Sequence, residues 1–141
     1  MTVLALKCSI KFPSIDNKDL TIIGKSFTHL KNIRLKGCIE ITDEGIESFL
    51  LECGPIQKFS CGSCGFGGKG LNSILKNCNE LEDLTTKGLR RLDGQTERIG
   101  PGKGKLHRLC LKDIYNGQLF APLLLSSKCV RALIFSRNYG Y

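Results

Sequence analysis

The sequence of 141 residues has no tryptophan, only two histidines and no long apolar run. No stretch approaches the ~20 apolar residues that a membrane-spanning helix needs, so no membrane partner is predicted. Residues 1–6 are apolar but lack the basic region of a signal peptide, and we therefore expect the chain in the cytoplasm or nucleus. There the eight cysteines should be reduced, as core, metal or catalytic thiols rather than disulfides.

The scarcity of histidine also bears on catalysis, because histidine is the commonest general base. The two histidines, His29 and His107, fall about three units apart in the repeat described below. A nucleophilic cysteine needs a lowered pKa and a charged neighbour, and Cys110 beside Arg108 is the one cysteine that we expect to be both exposed and so placed. The spacing suggests no catalytic pair, so the sequence does not indicate an enzyme, and no catalytic residue is predicted.

An apolar pattern recurs along the whole chain. Its first clear copy is Leu30-x-x-Ile33-x-Leu35-x-x-Cys38, and further copies begin at residues 56, 81, 106 and 130, in steps of 24 to 26 residues. Residues 1–6 resemble an earlier copy. The pattern is the L-x-x-L-x-L-x-x-N/C motif of leucine-rich repeats at its expected period, and it predicts one strand for each copy.

A second apolar pattern lies between these strands, with the spacing of one helix face. It occurs at Ile46, Phe49, Leu50 and Cys53 and again within residues 20–27, 71–78 and 120–127. Thr42 is placed to cap the helix that contains the first of these sets. Each unit is therefore predicted to be a strand, a turn and a helix.

Stacking such units predicts a fold of the α/β class: a leucine-rich-repeat solenoid of five to six repeats, with a curved parallel sheet on its concave side and helices on its convex side. We expect residues 1–141 to form a single domain that is truncated at both ends. Proline and glycine oppose a helix in the fourth unit, so residues 93–105 are predicted to be an irregular connector.

Two stretches are more specific than the repeat itself: Phe59-Ser60-Cys61-Gly62-Ser63-Cys64-Gly65-Phe66-Gly67 and Cys110-Leu111-Lys112-Asp113-Ile114-Tyr115-Asn116-Gly117-Gln118. They resemble plant F-box/leucine-rich-repeat proteins of the VIER F-box type, over about residues 3–137. The resemblance covers the repeat region and not the F-box. It implies the substrate-recognition part of an SCF (cullin–RING) ubiquitin ligase, which acts in ubiquitin-dependent proteasomal degradation. Cullin–RING subunits are expected as partners only if an F-box is supplied.

The sheet is the predicted binding surface. Side chains alternate along a strand, so the residues between the leucines of each motif face solvent. Seven of these outward residues are basic and one is acidic, in a chain of net charge +8. We predict that Arg34, Lys36, Lys58, Arg108 and Lys112 contact a protein substrate with an acidic segment. The alternative is a basic solenoid that binds polyanions such as nucleic acid nonspecifically, although ten aromatic residues leave little for base stacking.

Two further groups of residues have the types found in metal or phosphate sites. Cys61 and Cys64, with Cys53 and Cys78, have the residue types of a zinc site, but they occupy core positions of the repeat, where reduced cysteine behaves as a small hydrophobe. The glycine-rich residues 65–70 do not fit a phosphate-binding loop, and their place at a strand-to-helix turn already explains them. No metal and no cofactor are predicted.

Overall fold

The computed structural model describes residues 2–9, 14–53, 55–89, 105–114, 122 and 132–137. Within these ranges the chain forms strands and helices in the order β1 (Val3–Lys7), α1 (Asn17–Ser26), β2 (Asn32–Lys36), α2 (Asp43–Glu52), β3 (Lys58–Gly62), α3 (Gly68–Asn77), β4 (Asp83–Lys87), β5 (Arg108–Ile114) and β6 (Ala132–Arg137). Each helix has ten residues. None of the helices in the described ranges is long and apolar enough to cross a bilayer.

The six strands form one sheet in which every pairing is parallel and the strand order follows the chain. The register aligns equivalent positions of the apolar motif. One aligned row contains Leu4, Ile33, Phe59, Leu84, Leu109 and Leu133, and a second contains Leu6, Leu35, Cys61, Thr86, Leu111 and Phe135. The predicted α/β class, with a parallel sheet alternating with helices, is confirmed.

The core lies between the sheet and the helices. α2 packs against both α1 and α3. Apolar residues of all three helices join apolar strand residues of β1 to β5 in one buried cluster; its helical members include Leu20, Ile46, Phe49, Leu71 and Ile74. The strand residues between the two rows point the other way. We call this second side of the sheet the outer face, and no helix covers it within the described ranges.

The side chain of the first residue of one helix forms hydrogen bonds with residues at the start of the next helix. The Asn17 side chain accepts the Thr42 N–H at 3.0 Å and donates to the Thr42 hydroxyl at 2.8 Å. One unit later, Asp43 Oδ1 accepts the N–H groups of Gly67 at 3.0 Å and Gly70 at 2.7 Å. We call these contacts the capping ladder. Thr42 is the N-cap, as predicted, but its hydroxyl makes no bond to the helix backbone.

The turn after β3 passes very close to the turn after β2. A Cβ atom on Gly65 would lie 2.2 Å from the carbonyl oxygen of Ile39 and 2.7 Å from that of Ile41. Only a glycine fits between backbones at this distance. The close approach of neighbouring units thus explains the glycine at position 65.

Two predicted features fall almost entirely outside the described ranges. The irregular connector at residues 93–105 is described only at Lys105, and the apolar helix pattern at residues 120–127 only at Pro122. Both remain predictions.

Candidate partner-binding face

The outer face carries three rows of residues that run across the strands. The first row contains Val3, Asn32, Lys58, Asp83 and Arg108; the middle row contains Ala5, Arg34, Ser60, Thr85 and Cys110; and the third row contains Lys7, Lys36, Gly62, Lys87 and Lys112. Neighbouring members of a row lie about 4.8 Å apart, because that is the spacing of hydrogen-bonded strands. The third row lies toward the carboxyl ends of the strands.

Charges of both signs meet in the first row. Arg108 Nη1 lies 3.3 Å from Asp83 Oδ1 and donates to the Thr85 hydroxyl at 3.0 Å. Both charged side chains of this pair are partly buried, with 37% and 24% of their surface exposed. Arg108, predicted to contact a partner, is therefore already held by a carboxylate of the same face, and a ligand would have to compete with Asp83 for it.

The third row carries positive charge only. We call Lys7, Lys36, Lys87 and Lys112 the lysine row. Lys87 lies 3.9 Å from Asp113, but both side chains are well exposed, and such a pair contributes little because water screens it. In the described part of the chain, the other three lysines have no carboxylate within 4.0 Å. Their charges are available to a ligand.

A groove of about 510 Å³ lies against the lysine row. All four lysines line it, as does Arg34 from the middle row. Gly62 occupies the centre of the row, and a Cβ atom placed on it would meet nothing within 4 Å. Five cations around one groove with an open centre create a positive potential that attracts anionic groups.

The five predicted contact residues are thus divided between two places. Arg34, Lys36 and Lys112 line the groove. Lys58 lines a neighbouring depression of about 410 Å³, which Arg34 also borders. Arg108 is in the ion pair. Sequence reasoning left Lys7 and Lys87 out of the site although both directly follow the third apolar position of their motif, as Lys36 and Lys112 do.

Within the core, most of the described cysteines are buried, as predicted for small hydrophobes. Burial raises the pKa of Cys53 to about 11 and that of Cys61 to about 12. The pKa of Cys38 is also raised, first by a hydrogen bond with Cys64 and then by burial. Burial thus disfavours the thiolate form that a nucleophilic cysteine needs. No cluster of three or more potential metal ligands occurs among the described residues.

The prediction that Cys110 is exposed is wrong, because the residue is fully buried. It lies in the middle row between its register neighbours on β4 and β6, Thr85 and Ile134. The Arg108 side chain, from the same strand, reaches across to Thr85. The thiol thus has no open approach. The two histidines precede β2 and β5, three strands apart, and the fold does not bring them together.

No known protein-family model matches the chain, and no solved structure gives a significant match.

Proposed function

We propose that the chain is a leucine-rich-repeat solenoid that binds a partner protein through the outer face of its sheet. Following the resemblance to VIER F-box proteins, its role is that of the substrate-recognition part of an SCF ubiquitin ligase, in ubiquitin-dependent protein degradation in the cytoplasm or nucleus. It performs no catalysis itself. The observation that carries this proposal is the positively charged groove between the lysine row and Arg34.

The sheet topology supports the solenoid. An ordinary doubly wound α/β fold has helices on both faces of its parallel sheet and a strand order that reverses at a switch point. Here the strands are added strictly in chain order, and in the described ranges the helices cover one face only. Units that stack one after another at a nearly constant step produce this arrangement, and they leave a long sheet face for binding.

The charge distribution supports a protein partner with an acidic segment. Along the third row, a carboxylate on a partner would compete only with the exposed Asp113 beside Lys87 among the described carboxylates, whereas along the first row it would meet charges of both signs. Such complementarity steers association and fixes the orientation of the complex. Small polar residues of the groove, among them Ser60, Ser63 and Thr85, can hydrogen-bond to a peptide backbone.

The test is affinity capture from cell lysate with the parent chain and two charge-reversed variants. The face variant is Arg34→Glu/Lys58→Glu/Lys112→Glu. The helix control, Lys18→Glu/Lys25→Glu/Lys69→Glu, changes the net charge equally at exposed helix positions. We expect a discrete protein to be retained through a high-salt wash by the parent and by the helix control, and to be lost by the face variant. Retention by the face variant would contradict the proposal.

The ligase role is tested separately by joining an F-box to the amino end of the chain. The fusion is expected to recover cullin–RING subunits together with the captured protein, and to shorten the lifetime of that protein in cells. If the lifetime of the captured protein does not change, the ligase role is refuted, but the proposed binding of a partner protein still stands.

Nonspecific polyanion binding is the second candidate, favoured by the net charge of +8 and the lysine row. If about four lysines contact a single strand of nucleic acid, the logarithm of the affinity should fall with the logarithm of salt concentration with a slope of about −3. A protein partner held by a few well-packed contacts should keep most of its affinity as salt rises. If the chain captures only nucleic acid, and a high-salt wash removes it, the result would favour polyanion binding and refute the binding of a partner protein.

A further inference from the structure

We infer that the groove binds an extended peptide that runs across the strands, with two acidic residues four positions apart and a bulky side chain midway between them above Gly62. This inference rests on the proposed partner-binding function and adds the sequence pattern of the ligand. It follows from the register of the third row, from the open space at Gly62, and from the repeat distance of an extended chain.

The lysine row consists of two pairs. Lys7 and Lys36 are register neighbours on β1 and β2, and Lys87 and Lys112 are register neighbours on β4 and β5. Each pair can hold one carboxylate between two ammonium groups. The centres of the two pairs are three strand spacings apart, which is about 14 Å.

An extended peptide matches this distance. Its residues advance by about 3.4 Å each and its side chains alternate, so residues i and i+4 point to the same side at a separation of about 14 Å. Residues i and i+3 would point to opposite sides. An acidic residue at i and another at i+4 can therefore reach both lysine pairs at the same time.

The residue at i+2 lies midway and points toward the sheet as well. Gly62 is at the midpoint of the row, two strand spacings from Lys7 and two from Lys112. The absence of a side chain there leaves the space that the i+2 side chain would enter. The preferred pattern is thus Glu-x-Leu-x-Glu or an equivalent with Asp or another large apolar residue.

The described residues of the outer face favour a peptide over a single-stranded nucleic acid. Nonspecific single-strand sites combine cations with aromatic side chains on which bases stack. None of the outer-face residues of β1 to β5 in the described ranges is aromatic. The small polar residues of the groove favour the amides of a peptide backbone instead.

The test measures the anisotropy of fluorescein-labelled peptides at about 50 mM salt, where charge contacts are strong. Three peptides of equal charge are compared: Glu-x-Leu-x-Glu, Glu-x-Gly-x-Glu, and a version of the first with the second Glu moved to i+3. We expect the first to bind most tightly and the moved Glu to weaken binding about fivefold, since one carboxylate then leaves its lysine pair.

Substitutions in the chain locate the contact. Gly62→Leu fills the open space without a clash and is expected to weaken Glu-x-Leu-x-Glu about tenfold, but Glu-x-Gly-x-Glu less than threefold. Lys36→Gln should weaken both peptides about threefold to fivefold. Lys18→Gln, which removes an exposed lysine of α1, should change neither. Far-UV circular dichroism checks that each variant is folded.

Equal affinity for the i+3 and i+4 peptides, or failure of every peptide to bind, would overturn the inference. So would an unchanged affinity in Gly62→Leu, or tighter binding of a single-stranded oligonucleotide of the same charge. The proposed function is judged separately by lysate capture. A partner that is lost by the face variant but kept by Gly62→Leu would leave the function standing and refute the peptide pattern alone.

Discussion

Asp43 begins α2, yet its carboxylate bonds to the start of α3. Oδ1 accepts the N–H of Gly67 at 3.0 Å and the N–H of Gly70 at 2.7 Å, and only 8% of the residue is exposed. Asp43→Ala would leave two N–H groups at a buried helix start without this acceptor. A hydrogen bond to a charged group contributes ~1.5–3 kcal/mol. Water entering the vacated space recovers part of this, so we expect the free energy of unfolding to fall by about 3 kcal/mol.

Urea unfolding followed by circular dichroism measures this loss, with an m-value that should not change. Asp43→Asn keeps one acceptor oxygen without the charge and is expected to lose about half as much. Glu47→Ala, at an exposed position of the same helix, is the control and should stay within about 0.5 kcal/mol of the parent. A loss in Asp43→Ala no larger than that of the control would refute the idea that one unit caps the next.

Two further substitutions probe the packing between units. Thr86 is fully buried at a position where neighbouring strands carry apolar residues, and its hydroxyl has no hydrogen-bond partner in the described part of the chain. Thr86→Val keeps the shape and should raise the free energy of unfolding by about 1 kcal/mol, and an unchanged or lower value would show that the hydroxyl is satisfied. Gly65→Ala should cost about 3 kcal/mol or prevent folding, because its Cβ would lie 2.2 Å from the Ile39 carbonyl oxygen. Gly62→Ala, whose added Cβ atom would meet nothing within 4 Å, is its control, and the same urea unfolding assay measures all three variants.

The parallel sheet could be predicted because its signal is local and repeated. In each of the first five strands, the second apolar residue of the motif is buried; the residue after the third is exposed in all of them except β3, where Gly62 is partly buried. The alternation has a strict period of two, so a slip of one residue would turn the leucines toward solvent. Burial of those leucines alone therefore fixes the register. Whether the stacked units form a leucine-rich-repeat solenoid stays a proposal.

The binding face could be predicted only in part. Alternation identified which side chains point outward, but it gave no reason to choose among seven cations. Two features of this face depend on which strands are neighbours and in what register. They are the pairing of Arg108 with Asp83 and the alignment of four lysines in a third row that contains no acidic residue. If the strands are assumed to pair in chain order, the aligned motifs give both the neighbours and the register. Lys7 and Lys87 could then have been chosen together with Lys36 and Lys112.

The capping ladder was not anticipated because its bonds join residues that are 24 to 27 positions apart in the sequence. Local capping rules look for a bond within one helix, and on that basis Thr42 was chosen as the cap. The sequence does contain a signal, since Asn17 and Asp43 both occupy the first position of their helices. A search for polar residues that recur at the repeat period just inside the helix starts would have found them.

The capping ladder gives the middle of the three described helices a double role. Asn17 of α1 bonds to the start of α2, and Asp43 of α2 bonds to the start of α3. Opening α1 or α3 therefore breaks one set of these bonds, whereas opening α2 breaks both sets. Opening should cost most at α2, and amide hydrogen exchange would record this as slower exchange in α2 than in α1 or α3.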